Sequence, residues 1–285
     1  MKNILFPTDF SETSKNARKF AIEIAEKSRA KIFVMNVYSV TIFDPNMPAE
    51  LLLSAYNEAE KNSKEELEKI HGEIKSDIEK KNLDFKIETE CISNQGLVVD
   101  EIISIIKEKN IDIVVMGTTG ASGLKEIIIG SNTASVVDRA PCLTLAIPDE
   151  AKFTEIKNIA FATDLNETED HEISKLIDFA KTMNAKITFL HVCCEKESEV
   201  FQEKEKIFKK IKEDVGYENM EFEMTECSNI FDGINNYIES SVVNVLTMAT
   251  QHRSLFGKIF HKSLTKKMAY NTKVPLLALH RDTKA

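Results

Sequence analysis

Apolar and polar residues follow two different periods along the chain. Short, mainly apolar runs, such as residues 111–116, are typical of strands that are buried on both faces of a parallel sheet. Between these runs, apolar residues recur at helical spacing, as in the stripe of Ala17, Phe20, Ala21 and Ile24. The pattern predicts an α/β fold, an open and doubly wound parallel sheet flanked by helices.

The predicted elements can be placed along the first half of the chain. Strands are expected at residues 2–8, 30–38, 85–91, 111–116 and 142–147. Helices are expected after the N-cap candidate Ser11, over residues 50–81, after Gly96, and from Gly130 to about Arg139. The charged run of the long helix is interpreted as a solvated face, with Leu67, Ile70, Ile74 and Ile78 facing the core.

The second half repeats the first in the same order. Residues 157–164 (KNIAFATD) match residues 2–9 (KNILFPTD), and similar matches follow for the second, third, fourth and last strands. Such a series indicates a tandem duplication. We therefore expect two flavodoxin-like or Rossmann-like sheets of five parallel strands, over residues 1–148 and 154–281. The second copy is about 19 residues shorter, and the difference falls near the long helix.

Composition narrows the classes of partner. The formal net charge of -9 argues against binding to nucleic acids or anionic membranes, because such binding requires a basic surface. No apolar run approaches the ~18 residues of a membrane span, and residues 1–10 do not form a signal-peptide core. The five cysteines show no disulfide or zinc spacing. We expect a cytoplasmic protein with reduced thiols.

Candidate chemistry centres on glycines after the fourth strand. Gly117 and Gly120 follow the strand, and Gly130, Ser131 and Asn132 open the next helix. Backbone N–H groups at such a helix start attract phosphate, although paired glycines can also simply shape turns. In an open parallel sheet, ligands bind at the carboxyl ends of the strands.

A nucleotide would fit the crevice predicted at these strand ends. Its base would lie against Val37 and the turn from Pro7 to Asp9. Its ribose would contact Asp9 or the loop, and its phosphates would lie on Gly120 and on the Gly130–Asn132 turn.

The sequence lacks the motifs of several other kinds of nucleotide, catalytic and metal site. The chain has no Walker A sequence, no Gly-x-Gly-x-x-Gly after its first strand and no Gly-x-Ser-x-Gly elbow. Its six histidines show no metal-ligand spacing, and His191 matches Asn36 in the repeat. We interpret His191 as a near-core residue rather than a base, and we predict neither catalytic residues nor a metal site.

The spacing Gly117-x2-Gly120-x9-Gly130-Ser131 resembles the nucleotide-binding signature of the universal stress protein family. Residues 4–9 and 140–142 resemble the same family, and the resemblance covers both halves of the chain. It implies ATP as the ligand, with a divalent cation such as Mg²⁺ bridging the phosphates. Asp9 and Val37 would flank the adenosine.

By the same resemblance, the ribose and phosphates would be held by Gly117, Gly120, Gly130, Ser131 and Asn132. The residues Pro7, Thr8 and Met116 complete the expected contact set. Family members also associate through their last strands, here residues 142–147 and 274–280, which implies an internal pseudo-dimer. Whether a homodimer also forms stays open.

The second half departs from the signature. Ala249, His252 and Lys262 replace the three glycines, and Ser263 remains. Two interpretations stay open: a decayed site, which we favour, or a cationic site for a smaller anion formed by His252, Arg253, Lys262 and Lys266. Because this half is expected to close the same fold without the glycines, ligand approach is the better explanation for them in the first half.

The leading hypothesis is a stress-response regulator that acts as a nucleotide-dependent binding switch toward an unknown protein partner. One alternative is a slow ATPase or adenylate-processing enzyme with Asp9 as the nearest carboxylate. Another alternative is a nucleotide-independent interaction scaffold.

Overall fold

Strands and helices alternate along the chain in a computed structural model, which describes residues 1–40, 48–118, 130–165, 170–193, 198–250 and 272–280. The elements of the first half are β1 (Asn3–Pro7), α1 (Glu12–Ser28), β2 (Lys31–Tyr38), α2 (Ala49–Glu79), β3 (Thr89–Gln95), α3 (Val98–Glu108), β4 (Ile113–Gly117), α4 (Ser131–Arg139) and β5 (Leu143–Ile147). Those of the second half are β6 (Asn158–Ala162), α5 (Asp170–Met183), β7 (Lys186–Cys193), α6 (Ser198–Val215), β8 (Met220–Glu226), α7 (Ile230–Ser240), β9 (Val245–Thr250) and β10 (Leu276–His280). The predicted α/β fold is confirmed.

The strands form one ten-stranded sheet in the order β3-β2-β1-β4-β5-β10-β9-β6-β7-β8. Neighbouring strands are parallel within each half, and β5 pairs with β10 in antiparallel orientation. The expected pairing of the last strands is therefore present, with Leu145 opposite Leu277. This pairing removes two sheet edges that would otherwise be exposed.

Apolar side chains divide between the two faces of the sheet. In β1, Ile4 and Phe6 are fully buried in the cluster that contains residues of α1, α2 and α5. Leu5 points to the opposite face and is buried with residues of α3 and α4. Two-residue alternation within strands that are covered on both sides produces the continuous apolar runs seen in the sequence.

Helix α1 has the ends that its sequence predicts. The Ser11 side chain accepts a hydrogen bond from the Ser14 N–H, and Arg29 ends the helix in the left-handed conformation with φ 54°. Its inner face buries Phe20 and Ile24 against the sheet.

The third strand begins and ends four residues later than predicted. The alternating sequence predicts residues 85–91, whereas β3 runs from Thr89 to Gln95. The register with β2 explains the difference, because β2 begins at Lys31 and the parallel ladder starts with Ile32 opposite Thr89. Phe85 and Ile87 still pack on the core, but they do so before the ladder begins.

The segment between β5 and β6 packs along α1. Four residues of α1, each about one helical turn after the last, contact this segment in order. The Thr13 hydroxyl donates to Asp149 (2.8 Å), and the Asn16 amide donates to the Ala151 carbonyl (2.7 Å). The Phe20 ring packs on Phe153 (5.0 Å between centroids), and Glu23 accepts from the Ile156 N–H (3.1 Å). The connection between the two halves is thus held against α1 by hydrogen bonds and by ring packing.

Helix α2 accounts for part of the length difference between the halves. It has 31 residues, compared with 18 in α6. Its described buried residues begin at Ser63, so its first turns extend past the sheet. Among the helices of the described residues, none is long and apolar enough to cross a membrane.

Candidate functional site

The candidate site lies where the direction of strand connection reverses in the first half. The chain proceeds from β1 to β2 and β3 on one side, and then returns to β4 and β5 on the other. Leu5 of β1 pairs with Val114 of β4, so the carboxyl ends of these strands, at Pro7 and Gly117, lie side by side. Such a reversal opens a crevice at the carboxyl edge of the sheet.

The loop after β1 is held in one conformation. The Thr8 N–H donates to the Met35 carbonyl (2.8 Å), and the Thr8 hydroxyl accepts from the Phe10 N–H (3.0 Å). Phe10 adopts the left-handed backbone conformation with a φ of 66°. The Asp9 side chain is exposed, and one of its carboxylate oxygens accepts hydrogen bonds from the Ser11 N–H (3.2 Å) and the Ser11 hydroxyl (2.6 Å). The loop therefore directs Asp9 to the solvent side of the strand end.

A buried polar network supports this loop from below. The Asn36 side-chain Nδ2 donates to the Thr8 carbonyl (2.8 Å). The Ser63 hydroxyl donates to the side-chain Oδ1 of Asn36 (2.8 Å) and lies 2.8 Å from the Ser93 hydroxyl. Asn36 is 8% exposed and Ser63 is 4% exposed. The sequence prediction did not include these residues, although the match between Asn36 and His191 marked the position.

The two ends of the glycine-bearing segment are joined. The Gly130 N–H donates to the Thr118 carbonyl (2.5 Å), and the Thr133 hydroxyl donates to the Gly117 carbonyl (2.8 Å). The structure thus brings together Gly117 and the start of α4, as the spacing predicts. Gly120 lies outside the described residues.

Gly117 has a packing role that the sequence interpretation denied. A Cβ atom at this position would lie 2.8 Å from Thr13 Cγ2 and 3.3 Å from the Thr13 carbonyl carbon. Thr13 is buried in the first turn of α1 and is held by its hydrogen bond to Asp149. The inference that folding does not demand glycine is therefore wrong at this position, because α1 packs directly on Gly117.

Gly130 has no such constraint. Its φ of -59° suits any residue, and among the described residues a Cβ would meet only the Thr118 carbonyl oxygen at 3.4 Å, an ordinary contact. Helix α4 begins here with no hydrogen bond from a capping side chain, and Ser131 and Asn132 are exposed. Neither its backbone conformation nor its packing against the described residues explains a glycine at this helix start.

The remaining predicted residues contribute mainly through packing. Met116 is 6% exposed and lies in the same apolar cluster as Leu5. Val37 is half-buried against this cluster and pairs with Asn94 of β3. Val37 therefore offers more apolar surface at this edge than Met116, whose side chain is buried.

Residues 1–148 match the universal stress protein family. The chain belongs to that family. Universal stress protein MJ0531 of Methanocaldococcus jannaschii is 34% identical over 151 residues, which cover 53% of this chain and 84% of the relative.

Solved universal stress proteins share the fold. The crystal structure of one from Archaeoglobus fulgidus covers 98% of this chain and 98% of its own, with 19% identity and a TM-score of 0.72. A universal stress protein solved in complex with cAMP covers 52% of this chain and 96% of its own, with 23% identity and a TM-score of 0.38. The first of these supports the fold over both halves; the cAMP is a ligand of the second protein.

The second half of this universal stress protein repeats the loop geometry of the first. The Thr163 N–H donates to the Leu190 carbonyl (3.1 Å), the Thr163 hydroxyl accepts from the Leu165 N–H (2.9 Å), and Leu165 has a φ of 50°. His191 replaces Asn36, with Nδ1 lying 3.1 Å from the Thr163 carbonyl. His191 is thus a supporting residue with a satisfied ring nitrogen, as interpreted from the sequence.

Burial lowers the pKa of His191, and the nearby charge of Lys204 lowers it further, against the opposing effects of the Thr163 carbonyl and Asp164. The proposed cationic residues His252, Arg253, Lys262 and Lys266, together with Ser263, lie outside the described residues. In the parts of the chain that are described, no three His, Cys, Asp or Glu side chains are grouped to hold a metal ion.

Proposed function

We propose that the first half binds an adenine nucleotide, ATP with Mg²⁺, as a regulatory ligand. The observation that carries the proposal is Gly130, a glycine at a helix start without a side-chain cap, which neither its backbone conformation nor its packing against the described residues requires. An incoming anion explains it, because a phosphate oxygen could approach the N–H groups of the first helical turn where a larger side chain would stand.

The position of Gly130 in the fold supports the same ligand. The start of α4 is joined to Gly117 and Thr118 at the carboxyl edge of β4, beside the loop that carries Asp9. Phosphates on the α4 start would leave the adenosine directed across the strand ends toward β1 and β2. There Asp9 would accept hydrogen bonds from ribose hydroxyls, and Val37 would contact the base.

The arrangement favours binding over catalysis. Asp9 is the carboxylate of the loop after β1, and the Ser11 N–H and hydroxyl both donate hydrogen bonds to it. We propose that the nucleotide acts on the segment between Thr118 and Gly130, whose ends are already joined, and so changes the surface presented to a protein partner. We also propose residues 1–148 and 154–281 as the two domains, with the nucleotide site in the first.

Substitution at Gly130 tests the site without disturbing the fold. Gly130→Asp places a carboxylate at the helix start, where it would occupy and repel the phosphate position, while Gly130→Ala adds only a methyl group that makes an ordinary contact with the Thr118 carbonyl oxygen. Isothermal titration with ATP and Mg²⁺ should show an affinity loss of about a hundredfold for Gly130→Asp, or about 2.7 kcal/mol, and a much smaller loss for Gly130→Ala. ADP, AMP and cAMP serve as competitors, and phosphate release is followed in the same samples.

The result has clear alternatives. Wild-type protein that does not bind ATP, or Gly130→Asp that binds it with unchanged affinity, would contradict the proposal. Multiple turnover that disappears in Asp9→Ala would instead indicate an ATPase. Gly120→Arg provides a second variant in the segment between the joined ends, and it should also abolish binding.

A further inference from the structure

Lys204 is a buried cation that forms no ion pair within the described residues. It lies on α6 and is 9% exposed. Within the part of the chain that the structure describes, its ammonium makes one hydrogen bond, a long one of 3.4 Å to the Leu165 carbonyl, and no ion pair. A buried ammonium normally has a carboxylate or several acceptors, because removing the charge from water is costly. By contrast, the exposed Lys209 on the same helix is paired with Glu205 at 3.0 Å.

The first half has a neutral residue at the position that corresponds to Lys204. The buried side of α2 carries Ser63, Leu67, Ile70 and Ile74, and α6 presents residues 204, 208, 211 and 215 at the same spacing. Lys204 therefore corresponds to Ser63, which closes a neutral hydrogen-bond network with Asn36 and Ser93. The second half replaces that closed network with a cation.

The surroundings of Lys204 lie at the carboxyl edge of the second-half sheet. Leu165 and Asp164 follow β6, and His191 is near the end of β7. Asp164 is 9% exposed, and both Lys204 and Asp164 lie close enough to His191 to influence its charge. This edge corresponds to the one that carries the nucleotide site in the first half, but its donors and acceptors differ.

We propose that the second half binds a small hydroxylated oxyanion, such as a phosphate monoester or a hydroxy acid, through Lys204. The ammonium would form with the oxyanion the ion pair that it lacks within the described residues. Because a carboxylate can accept several hydrogen bonds, Asp164 favours a ligand that places a hydroxyl group beside that oxyanion. The site is separate from the proposed nucleotide site and takes a smaller ligand.

Three probes that share one carbon skeleton test this chemistry. Glycerol 3-phosphate and glycerate carry the oxyanion as phosphate or carboxylate, and glycerol carries the hydroxyls alone. Isothermal titration at matched ionic strength should detect binding of at least one of the two anions, and none of glycerol. Lys204→Met should weaken that binding at least tenfold, whereas Lys210→Met, an exposed lysine of the same helix, should leave it unchanged.

A second measurement covers the case in which Lys204→Met does not fold. Acetylation of lysines, read by mass spectrometry on the native protein, should be slowed at Lys204 by the binding anion and not by glycerol, with Lys210 unaffected. Lys204→Arg should keep anion binding. Failure of both anions to bind, equal binding to Lys204→Met, or acetylation of Lys204 that no anion slows would each overturn the proposal.

The outcome is distinguishable from that at the first-half site. Gly130→Asp should leave binding of the small anion intact, and Lys204→Met should leave ATP binding intact. Loss of both bindings in either variant would contradict two separate sites.

Discussion

The contact between Gly117 and Thr13 permits a quantitative test of the packing beneath the candidate site. A Cβ at 117 would lie 2.8 Å from Thr13 Cγ2, closer than such atoms can approach, and 3.3 Å from the Thr13 carbonyl carbon. Thr13 cannot turn away freely, because its hydroxyl donates to Asp149 at 2.8 Å. Overpacking of this kind costs about 1–3 kcal/mol, and a smaller chain entropy in the unfolded state returns about 0.4–1 kcal/mol. We expect Gly117→Ala to lower the free energy of unfolding by about 1–2 kcal/mol.

A second substitution identifies the cause. Thr13→Ser removes Cγ2 and keeps the hydroxyl that binds Asp149, at a cost of about 1 kcal/mol for the lost buried methyl group. In Gly117→Ala/Thr13→Ser the closest contact is gone, so the double variant should be more stable than additivity predicts, by about 1 kcal/mol.

Urea unfolding of the wild type, both single variants and the double variant measures this coupling. Gly130→Ala is the matched control, since among the described residues its Cβ meets only the Thr118 carbonyl oxygen at 3.4 Å. Its stability should stay within about 0.5 kcal/mol of wild type. Additive effects at 117 and 13, or a Gly117→Ala variant as stable as the control, would refute the packing explanation.

Three further predictions concern buried polar groups. The pKa of His191 in the folded state lies below its ordinary value of 6.5, so the unfolded state takes up the proton first and stability should fall as the pH drops below about 6.5. His191→Asn should flatten this part of the pH profile of the unfolding temperature. An unchanged slope would contradict the prediction. Burial raises the pKa of the Glu23 carboxyl, so stability is lost as the pH rises above the ordinary value of 4.5. Glu23→Gln keeps an acceptor for the Ile156 N–H and should raise the unfolding temperature at neutral pH. A lower unfolding temperature would contradict the prediction. Asn36→Ala removes the donor to the Thr8 carbonyl and the acceptor of Ser63, and should cost about 1–3 kcal/mol in urea unfolding; a neutral effect would show that the network is not needed.

The α/β class and most element positions follow from the sequence because they depend on local periodicity. Helix α1 begins after Ser11 and α4 ends at Arg139, as predicted, since caps and a following proline are local signals. Strand β3 was misplaced because Ser93, Asn94 and Gln95 are polar and lack strand periodicity. Its position depends on the register with β2, which is a non-local property.

The candidate site was predicted with a similar limit. The proximity of Gly117 to the start of α4 follows from their places after a strand and before a helix, and the structure confirms it. The contact of Gly117 with Thr13 involves residues that are distant in sequence, so no spacing reveals it. Lys204 was equally hidden, because a lysine among the charged residues of α6 gives no sign of burial until the helix is packed.

The number of nucleotides bound by each chain tests the central claim most directly. Native mass spectrometry of the full chain with ATP and Mg²⁺ should show a single ATP bound per chain, and Gly130→Asp should show none while remaining folded. Two bound nucleotides per chain, or one that persists in Gly130→Asp, would contradict a nucleotide site confined to the first half.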